Sequence, residues 1–166
     1  EVLAGIPDIG STLAFELARA AGSRGVIGGQ AEDVDAERKP PDAALVEYIH
    51  RSKTAALIRA SCVMGGICAG ADSIMLEKLA RYGECAGLAF QLADDLLDER
   101  ATVEELGKDI GSDKARGKMT WPAVYGTEKT EADLKRLQAE AAAALQGLKN
   151  PLRLEQLAEF IVRRKS

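Results

Sequence analysis

A chain of 166 residues, 46% of them apolar, 29% charged and 4% aromatic, can bury a core without disulfide or metal staples and is neither disordered nor collagen-like. With 26 acidic against 22 basic side chains, the net charge of -4 excludes a general nucleic-acid binder, whose affinity rests on neutralising phosphates with Lys and Arg. An anionic ligand would need a local basic patch or a metal.

Ala, Leu and Glu dominate and no segment alternates apolar with polar residues, so helix is the default along the whole chain. A first helix is expected from near Ser11 to the Gly22–Gly25 break, and a shorter one from Val26 to Ala36. Pro40 and Pro41 end the connection. Asp42 stands where an N-cap belongs, and a long helix is expected from it to about Gly70. Asp72 or Ser73 can cap the next, read as continuous from Ile74 to about Asp98. Glu99 to Gly117, charged and broken by Gly107, Gly111 and Gly117, reads as a mobile loop. Thr130-x-x-Asp133 predicts a capping box for a helix reaching Leu145, and Asn150-Pro151 predicts the start of a last helix ending near Val162. No repeat or linker divides the chain, so residues 1–166 read as one domain.

Cys62, Cys68 and Cys85 form an odd set with no C-x-x-C pair and read as buried, reduced thiols of a cytosol-like compartment. The uncharged run Ala60 to Ala71 falls short of the roughly 18 to 20 residues that span a bilayer, so no membrane span is expected. The chain opens on Glu1 and Val2, without Met or a signal pattern, and reads as a processed or truncated product. The expected location is the cytoplasm, or an organelle where a transit segment has been removed.

The informative segment is Leu88 to Asp98. On a helical wheel, Gln91, Asp94, Asp95 and Asp98 occupy an arc roughly 100° wide, while Leu88, Ala89, Phe90, Leu92, Ala93, Leu96 and Leu97 cover most of the rest. A narrow acidic stripe therefore runs along a helix that wants burial on most sides. Carboxylates buried so close together repel one another unless protonated or neutralised by a cation. Oxygen ligands at one-turn spacing suit Mg²⁺, which keeps several waters and is usually completed by substrate phosphates. The competing reading is a solvated helix end; the pattern alone leaves the two side by side.

Lys108, Lys114, Arg116 and Lys118 crowd the loop that follows. Alone they read as a solvated charge run, but their nearness to a metal candidate points to a basic loop closing on a metal-bound phosphate. The loop is not a nucleotide P-loop, because Met119 follows Lys118 where that motif needs Ser or Thr. Lys53-Thr54 lies mid-helix, where a lysine usually snorkels. Gln30 ordinarily reads as a loop residue, and His50, the only histidine, as a packed or surface side chain.

In this order, Gly28-Gly29-Gln30-x-x-Asp33, Lys53-Thr54, Phe90-Gln91-x-x-Asp94-Asp95-x-x-Asp98, Gly107-Lys108 and Lys118-x-Thr120-x-Pro122 resemble the C-terminal part of the trans-prenyltransferases, the farnesyl and geranylgeranyl diphosphate synthases. The resemblance implies an all-α bundle around a central cavity, the C-terminal part of the isoprenoid synthase fold, usually homodimeric. It implies a Mg²⁺-dependent condensation of an allylic diphosphate with isopentenyl diphosphate. Asp94 would be the direct metal ligand, with Asp95 and Asp98 bound directly or through water. Lys53, Lys108 and Lys118 would contact diphosphate, Thr54 and Gln91 would offer oxygen dipoles near the carbocation, and Gln30 would line the cavity. Phe160 and Arg163 resemble C-terminal aromatic and basic positions less specifically. The family's first aspartate-rich motif has no counterpart, so this chain alone is expected to be inactive. The alternative is a noncatalytic subunit of a heteromeric synthase.

Overall fold

The computed structural model describes residues 2–100 and 117–163, and every regular element among them is helical. A 3₁₀ turn at Leu3–Gly5 leads into α1 (Gly10–Ala21) and α2 (Val26–Asp35). Next come α3 (Ala43–Ile49), a π-helical turn (His50–Ala55) and α4 (Ala56–Cys68). Helix α5 (Ser73–Arg100) is followed by α6 (Trp121–Tyr125), α7 (Thr127–Ala144) and α8 (Leu152–Arg163). Of the loop expected from Glu99 to Gly117, residues 101–116, Lys108, Lys114 and Arg116 included, lie outside the described residues, as does the side chain of Arg163, while Glu99 and Arg100 continue α5.

The expected start signals hold at two helices. The Asp42 carboxylate accepts the Leu45 N–H at 2.9 Å, and the Asp72 carboxylate accepts the Met75 N–H at 2.8 Å. From Asp42 the helix runs on to Cys68 as expected, but with a wide π turn set into it. The capping box at Thr130 is corrected. Helix α7 begins three residues earlier, after Gly126 at φ 81°, and Thr130 is fully buried, its hydroxyl donating to the Gly126 carbonyl at 2.8 Å. A glycine free to take that left-handed conformation opens the helix before the threonine is reached. The short helix α6, capped by Thr120 and carrying Pro122 in its first turn, was not expected.

Helix α5 is the axis of the bundle and packs against α4, the π turn, α6, α7 and α8. Tyr82, Cys85, Ala86, Leu88, Ala89, Leu92, Ala93 and Leu96 bury its apolar sides. Small residues let neighbours come close: a Cβ on Gly83 would stand 2.6 Å from Arg59 Cα, and one on Gly87 would stand 2.6 Å from Ala55 Cα. The Tyr82 hydroxyl donates to the Leu154 carbonyl at 2.7 Å and ties α8 to the axis. Among the described residues no helix is long and apolar enough to cross a membrane.

All three cysteines are free thiols, but Cys68 is exposed at the end of α4, which corrects the expectation that all are buried. Burial pushes the Cys85 thiol up to about 11 despite nearby Arg81, and burial also raises Cys62. A maleimide at pH 8 is therefore expected to label Cys68 first, Cys62 slowly, and Cys85 only on unfolding, as followed by peptide mass. Gly29 makes a second test. A Cβ there would stand 2.8 Å from Ser52 Cβ and press on the Lys53 backbone, so Gly29→Ala is expected to cost about 1–3 kcal/mol in denaturant unfolding, whereas Gly65→Ala, in open space, is expected to cost nothing.

Candidate active site

The π turn carries His50, Lys53 and Thr54 on the inner side of the bundle. Such turns insert an extra residue into a helix and are common at functional sites. Gly29 of α2 and Gly87 of α5 press on it from two directions. Gly29 and Asp33 lie one helical turn apart, so the glycine that meets the Lys53 backbone also brings Asp33 to its ammonium. Lys53 Nζ donates to Asp33 Oδ2 at 2.7 Å, with Asp33 buried and Lys53 half-buried.

On α5 the acidic arc divides. Asp94 is exposed, Asp98 half-buried, and Asp95 only 4% exposed. The expectation of three carboxylates buried together is thus corrected: the arc sits at the edge of the packed surface, and only its innermost member turns under. Asp95 Oδ1 accepts the Gln91 amide at 3.0 Å, and Oδ2 accepts the Trp121 backbone N–H at 2.8 Å. Gln91 in turn accepts the Thr54 hydroxyl at 2.8 Å. One hydrogen-bonded line therefore runs from Thr54 through Gln91 and Asp95 to Trp121.

His50 is packed, as one of its two expected settings had it. Its ring stacks on Trp121 at 5.6 Å, and Nε2 lies 3.4 Å from Asp95 Oδ2. Burial lowers its pKa to about 4, with Asp33 pulling it up and Lys53 pushing it down, so the ring is neutral at pH 7. Nδ1 is buried and has no hydrogen-bond partner among the described residues. Trp121 is fixed a second time, its indole N–H donating to Asp133 Oδ2 at 3.2 Å. Burial pushes the Asp133 carboxyl up, but hydrogen bonds from Lys129, Trp121 and Arg136 outweigh that and hold it low.

Lys53, Gln91, Asp95 and Lys118 line one cavity of about 30 Å³ with Asp33, His50 and Thr120. That volume suits a water or a single phosphate oxygen, so the bulk of any larger anion must lie outside it. Thr54 touches the group through Gln91. Gln30 is exposed on α2 and is not among the lining residues, and Phe160 is exposed on α8. Sequence reasoning missed Asp33 as the partner of Lys53 and Asp133 as the partner of Trp121. The one-turn spacing of Gly29 and Asp33 was a usable signal for the first; nothing local announces the second.

The cavity therefore sets two lysines and a locked amide beside carboxylate and hydroxyl oxygens, a set able to meet an anionic group. A profile of the polyprenyl synthetase family matches residues 13–159. Geranylgeranyl pyrophosphate synthase 6, a mitochondrial protein of Arabidopsis thaliana, is 42% identical over 158 residues, which are 91% of this chain and 47% of that protein. The geranylgeranyl pyrophosphate synthetase of Pyrococcus horikoshii superposes with a TM-score of 0.84 at 26% identity, over 96% of this chain and 60% of that one. The Helicobacter pylori geranyltransferase, solved with magnesium and isoprenyl diphosphate, gives 0.77 at 30% identity, over 97% and 54%. This chain thus spans about half the length of such relatives. On the family match and the shared fold, it belongs to the polyprenyl synthetases.

Proposed function

We propose that this chain carries the diphosphate-handling side of a prenyltransferase that condenses an allylic diphosphate with isopentenyl diphosphate to a geranylgeranyl- or farnesyl-type product. The observation that carries the proposal is the convergence of Lys53, Gln91 and Lys118 on one cavity, with Asp94 exposed on the same helix as Gln91. The chemistry needs a C–O bond to break with both electrons leaving on pyrophosphate, and fixed positive charge at the departing oxygens lowers that barrier. Lys53 and Lys118 supply such charge from the chain itself. Gln91, held by Thr54 on one side and Asp95 on the other, turns an oriented amide dipole toward the carbon that becomes electron-poor. The attacking double bond then forms the new C–C bond, and a proton leaves.

Among the described residues, no three His, Cys, Asp or Glu side chains converge as a metal cage. The donor set still fits Mg²⁺, which is usually held by one or two carboxylates and completed by substrate phosphates. Asp94 and Asp98, oxygen donors one helical turn apart, would hold it. When bound, the ion adds positive charge against the pyrophosphate leaving group.

We assign Lys108 to the same diphosphate contacts and Gln30 to the cavity wall on the resemblance alone, and assembly as a homodimer likewise. Because the relatives are about twice as long, turnover is proposed to need a polypeptide equivalent to their other half. Phe15, Ile27 and Val34, large and exposed on α1 and α2, support a covering partner of that kind. The mitochondrial relative supports an organelle as readily as the cytoplasm for its place of work.

The test is pyrophosphate release with Mg²⁺, dimethylallyl diphosphate and isopentenyl diphosphate. The chain alone is expected to be silent, and supplying the complementary half should restore turnover. In that restored enzyme Asp94→Ala should lower turnover on the order of 100-fold with unchanged circular dichroism. Turnover by the chain alone would refute the need for a second half. Unchanged activity of Asp94→Ala in a complemented enzyme would mark this chain as a noncatalytic subunit.

A further inference from the structure

We propose that Asp95 is a positioning residue that pegs the segment Gly117–Trp121 to α5 and so sets Lys118 against the cavity, and that it does not ligate metal. Both of its oxygens already serve protein donors, Oδ1 the Gln91 amide and Oδ2 the Trp121 backbone N–H, with His50 Nε2 at 3.4 Å. The carboxylate is 4% exposed, whereas Asp94 beside it is exposed. To take a cation at Oδ2, Asp95 would have to give up the buried Trp121 N–H, a costly exchange.

The segment it holds is fastened at three points. The Gly117 carbonyl accepts the Arg38 N–H at 2.8 Å, Met119 Sδ accepts the Asp42 N–H at 3.3 Å, and Trp121 is gripped by Asp95 at the backbone and by Asp133 at the indole. Lys118 sits between the first fastening and the second, with the Asp95 peg two residues beyond Met119, so its backbone is held from both sides. Cutting the Asp95 peg leaves the downstream end held only by Met119 and the Trp121 indole, which loosens the segment and lets the ammonium shift against the cavity. Of the acidic arc, the more open Asp94 and Asp98 are then left to meet a cation.

The metal half of this inference rests on the prenyl-transfer reading; the peg does not. Trp121 is the only tryptophan, so its emission reports the peg directly. Asp95→Asn keeps an oxygen for the Trp121 N–H, and the Gln91 amide can turn over to accept from the new NH₂ group, so the line survives without charge. Asp95→Ala removes it.

The experiment compares the 166-residue chain with Asp95→Asn, Asp95→Ala and Asp94→Asn, reading tryptophan emission, acrylamide quenching and calorimetric binding of inorganic pyrophosphate with Mg²⁺. Asp95→Ala should shift emission to longer wavelength, raise quenching and weaken Mg²⁺–pyrophosphate about tenfold. Asp95→Asn should keep the parent emission and bind within about threefold. Asp94→Asn should keep the emission and bind about tenfold or more weakly. The proposal is overturned if Asp95→Asn keeps its emission yet loses binding as far as Asp94→Asn does, for then the charge meets the metal. It is equally overturned if Asp95→Ala leaves emission and quenching unchanged. Should Asp95→Ala fail to fold, Asp95→Asn decides by the same two readings. If the parent chain does not bind Mg²⁺–pyrophosphate at all, the prenyl-transfer reading fails while the emission of Trp121 still judges the peg.

Discussion

The site depends on how closely three backbones approach one another around the π turn at His50–Ala55. Gly29 brings α2 against the Lys53 backbone, and Gly87 brings α5 against Ala55. Neither approach leaves room for a side-chain carbon. A steric constraint of this kind is stiffer than a hydrogen bond, since packed interiors give way little. Lys53 and Thr54 both lie within the wide turn, and from that single turn of chain they meet Asp33 and Gln91. Without the glycines, the turn and its lysine would have to back away from both neighbours.

Upon that clamp rests a line of polar contacts that crosses four elements, Thr54 to Gln91 to Asp95 to Trp121 to Asp133. Each link spends a donor on an acceptor, which is what makes so much polarity tolerable at this depth. The exception is His50 Nδ1. A neutral ring with its proton on Nε2, toward Asp95, leaves only a lone pair unmatched, less costly than a stranded N–H. The surface pairs, Arg81 with Glu140 between α5 and α7 and Arg136 with Glu140 within α7, carry little of the stability, because exposed pairs are weak.

Most of the helical frame is readable in the residues themselves. Asp42, Asp72 and the glycines mark boundaries through local chemistry that tertiary packing did not override, and the apolar face of Leu88, Leu92 and Leu96 announces the axis helix. Two things are not readable. Thr130 and Asp133 carry a capping signature, yet their side chains serve the Gly126 carbonyl and the Trp121 indole, a use decided by contacts across the fold. The wheel groups Asp94, Asp95 and Asp98 because angle is all it knows. Depth separates them, and depth depends on α6, whose own start signal at Thr120-x-Pro122 is short enough to pass for a turn.

Lys53 does not wait in the cavity without a partner, since Asp33 already holds its ammonium. Any anion that enters exchanges one ionic contact for another, and the net gain is only the difference between them. Such a cation grips transiently and lets go readily. The consequence is kinetic: a pocket built this way disfavours long retention of any anion that enters it, because the neighbouring aspartate is always at hand to reclaim the lysine.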